Sequence, residues 1–388
     1  MIRIPTVGIL LAAFCLPAAG VEVPPEGFKV AFLGDQGLGP ASEATLDLIR
    51  EEGAQLLVHL GDFDYQGAPA AWEKQTEGLL GRDFPQIAVI GNHDTPYWGG
   101  PEGYSRYIRE RLQRMGVAVE GEAGVQCSFR YRGIFFVLTA PGVMGSGHAD
   151  FIRRQLQRDS SLWRISAWHV NQSRMQVGVK GDEAGWGVYE ESRLGGAIIA
   201  TAHEHSYSRT HLMSGMADQK VASRSRALRL RKGRSFVFVS GLGGAEIRPQ
   251  ALSGDWWASI YTSTQGAKHG ALFATFNVDG DPRKARFYFK NVERAVVDSF
   301  EVFSELDKPI LPGIAVIPSR GHSLVLDPVS QGLPPGAKFG LLEMSGRTLA
   351  MFENLTGPVT VSVPRAGVFL LWGEGVKGRL LRKIVFLP

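Results

Sequence analysis

From Phe28 onward, short runs of apolar residues alternate with longer stretches whose apolar positions recur at helical spacing. Phe28–Leu33, Leu56–Leu60 and Pro85–Ile90 predict strands, and Ala41–Glu52 and Ala68–Leu80 predict the helices between them. A β-α-β-α-β opening argues for parallel strands in an α/β layer. Further on, Pro101–Met115 and Ala149–Arg158 predict helices, and Val125–Tyr131 with Gly133–Ala140 predicts a hairpin. Arg164–Trp168, Gly196–Thr201 and Ser235–Ser240 predict more strands, and Leu272–Val278, Ala285–Phe289 and Val297–Phe303 an antiparallel ending. The expected fold class is α/β, with two facing mixed β-sheets flanked by helices.

The pattern changes near Glu305. Prolines punctuate short apolar runs, and Phe339–Glu343, Val359–Val363, Val368–Trp372 and Leu380–Phe386 predict strands with little helical pattern between them. Residues 306–388 therefore predict a small C-terminal all-β domain of sandwich type. At the other end, Arg3, an apolar run to Leu16 and the small residues Pro17-Ala18-Ala19-Gly20 predict a signal peptide over residues 1–20, and hence a secreted or periplasmic protein. That leaves residues 21–305 as the main domain.

Composition narrows the picture. Of 388 residues, 44% are hydrophobic and 21% charged, which excludes a wholly disordered chain. The 48 glycines follow no Gly-x-y period, so they point to tight turns rather than collagen. A net charge of +4 permits anionic substrates without requiring nucleic acid, and no nucleic-acid partner is expected. Lys220–Arg234 carries seven basic residues and reads as a solvated hairpin or loop. The two cysteines, Cys15 and Cys127, exclude a disulfide and a Cys-based zinc site once the first segment is removed. After it, no uncharged apolar run is long enough to predict a transmembrane segment.

The candidate chemistry lies at the strand ends. Three successive strands stop at Gly34-Asp35, Gly61-Asp62 and Gly91-Asn92-His93-Asp94. In open α/β sheets, ligands bind beyond the carboxyl ends of parallel strands. Two later strands end at His169 and at His203-Glu204-His205. On extended chain, residues two apart point the same way, so His203 and His205 are expected to face one site. Tyr65 follows Asp62 by three residues and is expected on its side of a turn entering a helix. Oxygen donors with imidazoles suit zinc, manganese or iron, and a tyrosinate favours ferric iron. His59 reads as a core or supporting residue, and His148 and His269 as loop residues.

Gly34-Asp35-Gln36-Gly37, Gly61-Asp62-Phe63-Asp64-Tyr65, Gly91-Asn92-His93-Asp94, His169 and His203-Glu204-His205 resemble the ordered motifs of calcineurin-like metallophosphoesterases. More narrowly they resemble the purple acid phosphatases, because Gln36-Gly37 lacks the histidine usual in the first motif and Tyr65 is available in its place. The resemblance implies a four-layer αββα sandwich over residues 21–305 and a binuclear centre of iron plus a divalent metal (iron, zinc or manganese). Asp35, Tyr65 and His205 would hold the ferric ion, Asp62 would bridge, and Asn92, His169 and His203 would hold the divalent ion. His93 would act over the substrate without being a ligand. The implied activity is hydrolysis of phosphate monoesters in small phosphorylated substrates by attack of a metal-bridging hydroxide. A phosphodiesterase or nucleotide hydrolase with the same metals, and a surface-binding protein with a vestigial metal site, are the alternatives. Ala202 departs from the glycine usual before the His-x-His pair.

Overall fold

The computed structural model describes residues 22–306 and, in the C-terminal region, strand segments between Ser319 and Leu387. The expected signal peptide lies outside the described residues. The chain divides into two compact units, with the boundary in the sequence after Leu306.

In the first unit, β1 (Phe28–Leu33), β2 (Leu56–His59) and β3 (Gln86–Ala88) pair in parallel, with Leu33 opposite His59 and His59 opposite Ala88. The antiparallel strands Gly270–Val278, Asp281–Asn291 and Val296–Ser304 extend this sheet beyond β1. Ala227–Leu230 closes it, parallel to Val296–Ser304, to make seven strands. The basic segment is thus no solvated hairpin throughout. Leu228 and Leu230 are fully buried, which anchors the strand, while Arg226 and Arg229 reach acidic partners at Asp298 and Glu305.

The second sheet has eight strands. At its centre Ile134–Thr139, Trp163–Ala167, Ile198–Thr201 and Val237–Ser240 run parallel. Burial on both faces explains their continuous apolar runs. The side-chain alternation of a strand then sorts residues between layers. Val30, Phe32, Leu56 and Val58 meet Phe136, Ile165, Ile198 and Phe238 in the core between the sheets. Ala31, Leu33 and Leu57 instead pack under Leu46, Leu48 and Ile49 of helix α1 (Pro40–Glu51). Val137, Ile199 and Val237 pack under Phe151, Ile152 and Leu156 of the helix His148–Arg158 and Val188 and Tyr189 of the helix Trp186–Gly195. The result is helix, sheet, sheet, helix. Each fully buried large apolar side chain contributes roughly 1.5–3 kcal/mol.

The C-terminal unit is all-β in its described parts. Ser319–Arg320, Gly378–Leu387, Gly367–Gly375, Phe339–Glu343 and Thr348–Phe352 form one sheet, and Ser323–Leu326 with Val359–Ser362 a second.

Candidate metal centre

Both sheets of the first unit bring the carboxyl ends of their parallel strands to one edge. The Gly34 N–H donates to Ser240 O at 2.9 Å, which joins the two edges directly. The exits are sharp. Asp35, Asp62, Tyr65 and His203 all have left-handed backbone, with φ of 55°, 54°, 57° and 69°. Such conformations cost a non-glycine residue of order 1–3 kcal/mol and cluster at functional sites. Here each turns a donor side chain into the crevice.

One donor group gathers around His169. Its Nδ1 lies 2.7 Å from Leu60 O, which accepts the Nδ1 hydrogen. Nε2 then faces Asp62 Oδ2, Asn92 Oδ1 and His203 Nδ1, each at 3.2 Å. Without a cation, a proton on His169 Nε2 is what these acceptors have to share. Burial opposes a charge on His169, yet the charges of Asp62 and Asp35 outweigh it and lift the imidazole to about 9. Burial would likewise raise Asp62, but His169 and the His93 N–H hold its carboxyl well below the usual carboxylate range. Burial and the neighbouring His169 push His203 down to about 2. A concentrated negative potential is therefore in place to receive a cation.

The second group consists of Asp35, Tyr65 and His205. Tyr65 Oη lies 2.9 Å from Asp35 Oδ1 and 3.0 Å from His205 Nε2, and its one hydrogen serves only one of them. The His205 ring presents Nε2 because Nδ1 lies 2.7 Å from Glu246 O. Burial, with Asp62 adding to it, raises Asp35 to about 7, and burial with the Asp35 charge drives the Tyr65 phenol far above its usual value. A nearby cation reverses both effects, because it favours the ionised form of each ligand. The residues present fit a metal centre in both groups.

The surroundings hold these donors in place. Asp94 is buried and its carboxylate accepts N–H bonds from Asp62 and Phe63 at 2.9 Å and Gly91 at 2.7 Å. His59 Nδ1 accepts from Gly61 N at 3.2 Å, and its Nε2 meets Gln36 Oε1 at 3.1 Å, so it supports the turn as expected. A Cβ on Gly91 would lie 2.2 Å from Asp62 Oδ1, and one on Gly241 would lie 2.5 Å from Asp35 Oδ2. Both glycines are therefore required by close approach to a donor carboxylate.

All seven residues singled out as ligands reach this edge, but two of the expected routes differ. His203 and His205 do not sit on extended chain. Left-handed backbone at His203 turns them to different donor groups, so His203 meets His169 while His205 meets Tyr65. Tyr65 likewise arrives through its own left-handed backbone and not through a helical turn with Asp62. The His93 ring is exposed and lies 4.8 Å from the Tyr65 ring, centroid to centroid, outside both groups. His148 is no loop residue. It opens a helix, buried, with Nε2 3.0 Å from Met144 O. Sequence reasoning missed Glu183, 3.0 Å from His203 Nε2, and Arg248, which donates to His203 O at 3.2 Å and lies 3.6 Å from the buried Glu204 carboxylate. Neither sits at a strand end, where the signal was sought.

Residues 28–207 match the family model of calcineurin-like phosphoesterases. They form a calcineurin-like phosphoesterase domain. Among solved structures, a purple acid phosphatase from yellow lupin (Lupinus luteus) seeds is similar, with 17% identity and a TM-score of 0.55 over 72% of this chain and 55% of that one. The anchor protein of the Plasmodium inner membrane complex has 11% identity and a TM-score of 0.48 over 73% and 91% of the two chains. PhoD has 9% identity and a TM-score of 0.46 over 95% and 73%. At these identities the likeness to the lupin enzyme speaks for the fold, and this chain spans about half of its length. The comparison with curated proteins gives no match. The phosphoesterase domain implies a metal centre, and Asp62, His169 and His203 place ligand atoms within 4.8 Å of one another. Among the described residues, no helix is long and apolar enough to cross a membrane.

Proposed function

We propose that the phosphoesterase domain hydrolyses phosphate monoesters at a binuclear centre of iron and a divalent metal. The observation that carries this reading is the pair of adjoining donor groups, each with more lone pairs than hydrogens to satisfy them. Asp35, Tyr65 and His205 would hold iron, Asn92, His169 and His203 the divalent ion, and Asp62 would serve both. When bound, such a pair supplies positive charge that polarises phosphoryl oxygens and acidifies the water nucleophile. Tyr65, as a hard anionic donor, supports iron in the first position.

The remaining work falls to the chain itself. Asp94 holds the backbone N–H groups of Asp62 and Gly91, and the His93 N–H holds Asp62 Oδ1 at 2.9 Å, so little reorganisation of the Asp62 turn is needed when charge develops on the phosphoryl group. The His93 backbone N–H lies 2.9 Å from Asp62 Oδ1, and its exposed imidazole would give a proton to the leaving oxygen. The N-terminal segment supports export of the protein.

A cleft of about 740 Å³ opens between Gly67–Ala71 and residues of the segment 96–107, which follow Tyr65 and His93 in the chain. A diester whose second arm reached this cleft is the second reading. The test is the ratio of turnover on a phosphate monoester and a bis-ester of the same phenol. A large excess on the monoester supports the proposal, and the reverse supports the diesterase.

A further inference from the structure

The outer nitrogens of the three donor histidines are held differently. Those of His169 and His205 meet the backbone carbonyls of Leu60 and Glu246, both at 2.7 Å, which no substitution removes. That of His203 meets a side chain. His203 is 3% exposed, and its Nε2 has no aligned hydrogen bond, yet Glu183 Oε2 lies 3.0 Å away. The Glu183 side chain is 37% exposed, so it is free to rotate into line. Its backbone is tied to the same framework. The Glu183 N–H donates to Asn171 O at 2.9 Å, and the buried Asn171 amide donates to Ala202 O at 2.5 Å, one residue before His203.

We propose that Glu183 is a positioning residue for His203, its carboxylate taking the Nε2 hydrogen so that the Nδ1 lone pair faces Asp62, Asn92 and His169. The inference rests on the metal-centre reading above and deepens it. A carboxylate behind a ligating imidazole fixes the tautomer and raises the basicity of the ligating nitrogen, and its loss typically costs 10–100-fold in metal affinity. The effect belongs to one donor group only, because Glu183 touches neither Tyr65, Asp35 nor His205.

The test compares wild type, E183A and E183Q as full-length protein. Each is dialysed against buffered series of free Zn²⁺, and zinc and iron per chain are then measured together with the visible absorption of the tyrosinate. In E183A, zinc uptake should need about 10–100-fold more free Zn²⁺, with iron content and the visible band unchanged. E183Q, whose amide oxygen also accepts a hydrogen bond, should lie close to wild type. Equal zinc affinity in E183A and wild type overturns the inference. So does joint loss of zinc and iron in E183A, or an E183Q protein as weak as E183A. A wild-type protein that takes up no zinc and carries no iron instead overturns the metal-centre reading itself, so the two failures are told apart.

Discussion

Asp35 Oδ2 accepts a 2.9 Å hydrogen bond from the backbone N–H of His203, so a donor of one group is fixed by the main chain of a donor of the other. The bond crosses from the end of β1 in the first sheet to the end of Ile198–Thr201 in the second. Geometry in the two groups is therefore coupled through the fold before any ion binds. Loss of the Asp35 carboxylate is expected to disturb both groups, whereas a change confined to the outer nitrogen of His203 leaves this bond in place.

Tyr65 is the cleanest place to separate the groups. Tyr65→Phe removes Oη from between Asp35 and His205 while keeping the ring beside His93. The expected outcome is loss of the visible charge-transfer band with little change in thermal stability. Absorption spectroscopy on the purified variant checks it, and a variant that keeps its colour contradicts the ligand assignment.

Gly91→Ala places a methyl group 2.2 Å from Asp62 Oδ1 and 2.3 Å from Asp62 N. Neither neighbour can give way cheaply, since one is main chain and the other is a buried carboxylate. The substitution should cost roughly 1–3 kcal/mol by overpacking and lower metal content. Denaturant unfolding with elemental analysis measures both. Unchanged metal content would show that Asp62 is not in the centre.

Asp94→Ala leaves the N–H groups of Asp62, Phe63 and Gly91 buried without their acceptor. Roughly 3–5 kcal/mol of stability should be lost, and phosphatase turnover with it. Asp94→Asn keeps one acceptor oxygen and should recover part of the stability. If the alanine variant unfolds like wild type, those bonds do not hold the turn.

The contribution of bound metal to stability should depend on pH with a defined sign. Burial above all raises Asp35 and Asp94 to about 7 from an ordinary 3.8. Without metal, the folded protein holds those protons more tightly than the unfolded chain does. The corresponding stability is fully present below about pH 4 and is lost as pH rises through about 7. Asp62, held low, is ionised throughout this window and adds no slope. His169, raised to about 9, adds to the loss above about pH 6.5, while His203 and His205, lowered to about 2 and about 4, oppose it. Metal binding displaces the protons and so strengthens as pH rises. The Tm gap between untreated and chelated protein should therefore widen from pH 5 to pH 8. A gap that narrows contradicts the charge balance described.

Much of this was legible in the sequence because strand ends announce themselves. An apolar run followed by Gly-Asp at Gly34 and Gly61 and by Gly-Asn at Gly91 marks both the strand and the exit that carries the donor. The layers followed from strand alternation, with Val30 and Phe32 turned to one side and Ala31 and Leu33 to the other. What escaped was anything set by backbone conformation or long-range contact. Left-handed φ at Tyr65 and His203 has no residue-type signature, so an ordinary helical or extended turn was assumed there. The strand Ala227–Leu230 was hidden by its charges, because only Leu228 and Leu230 face the core. Glu183 and Gly241 matter only through neighbours distant in sequence.

Metal content of the purified protein, measured with its visible spectrum, tests the central claim most directly. The arrangement of Asp35, Asp62, Tyr65, Asn92, His169, His203 and His205 predicts about two metal ions per chain, one of them iron, with a tyrosinate band. Full turnover of a phosphate monoester by protein holding fewer than one tightly bound metal per chain would contradict it.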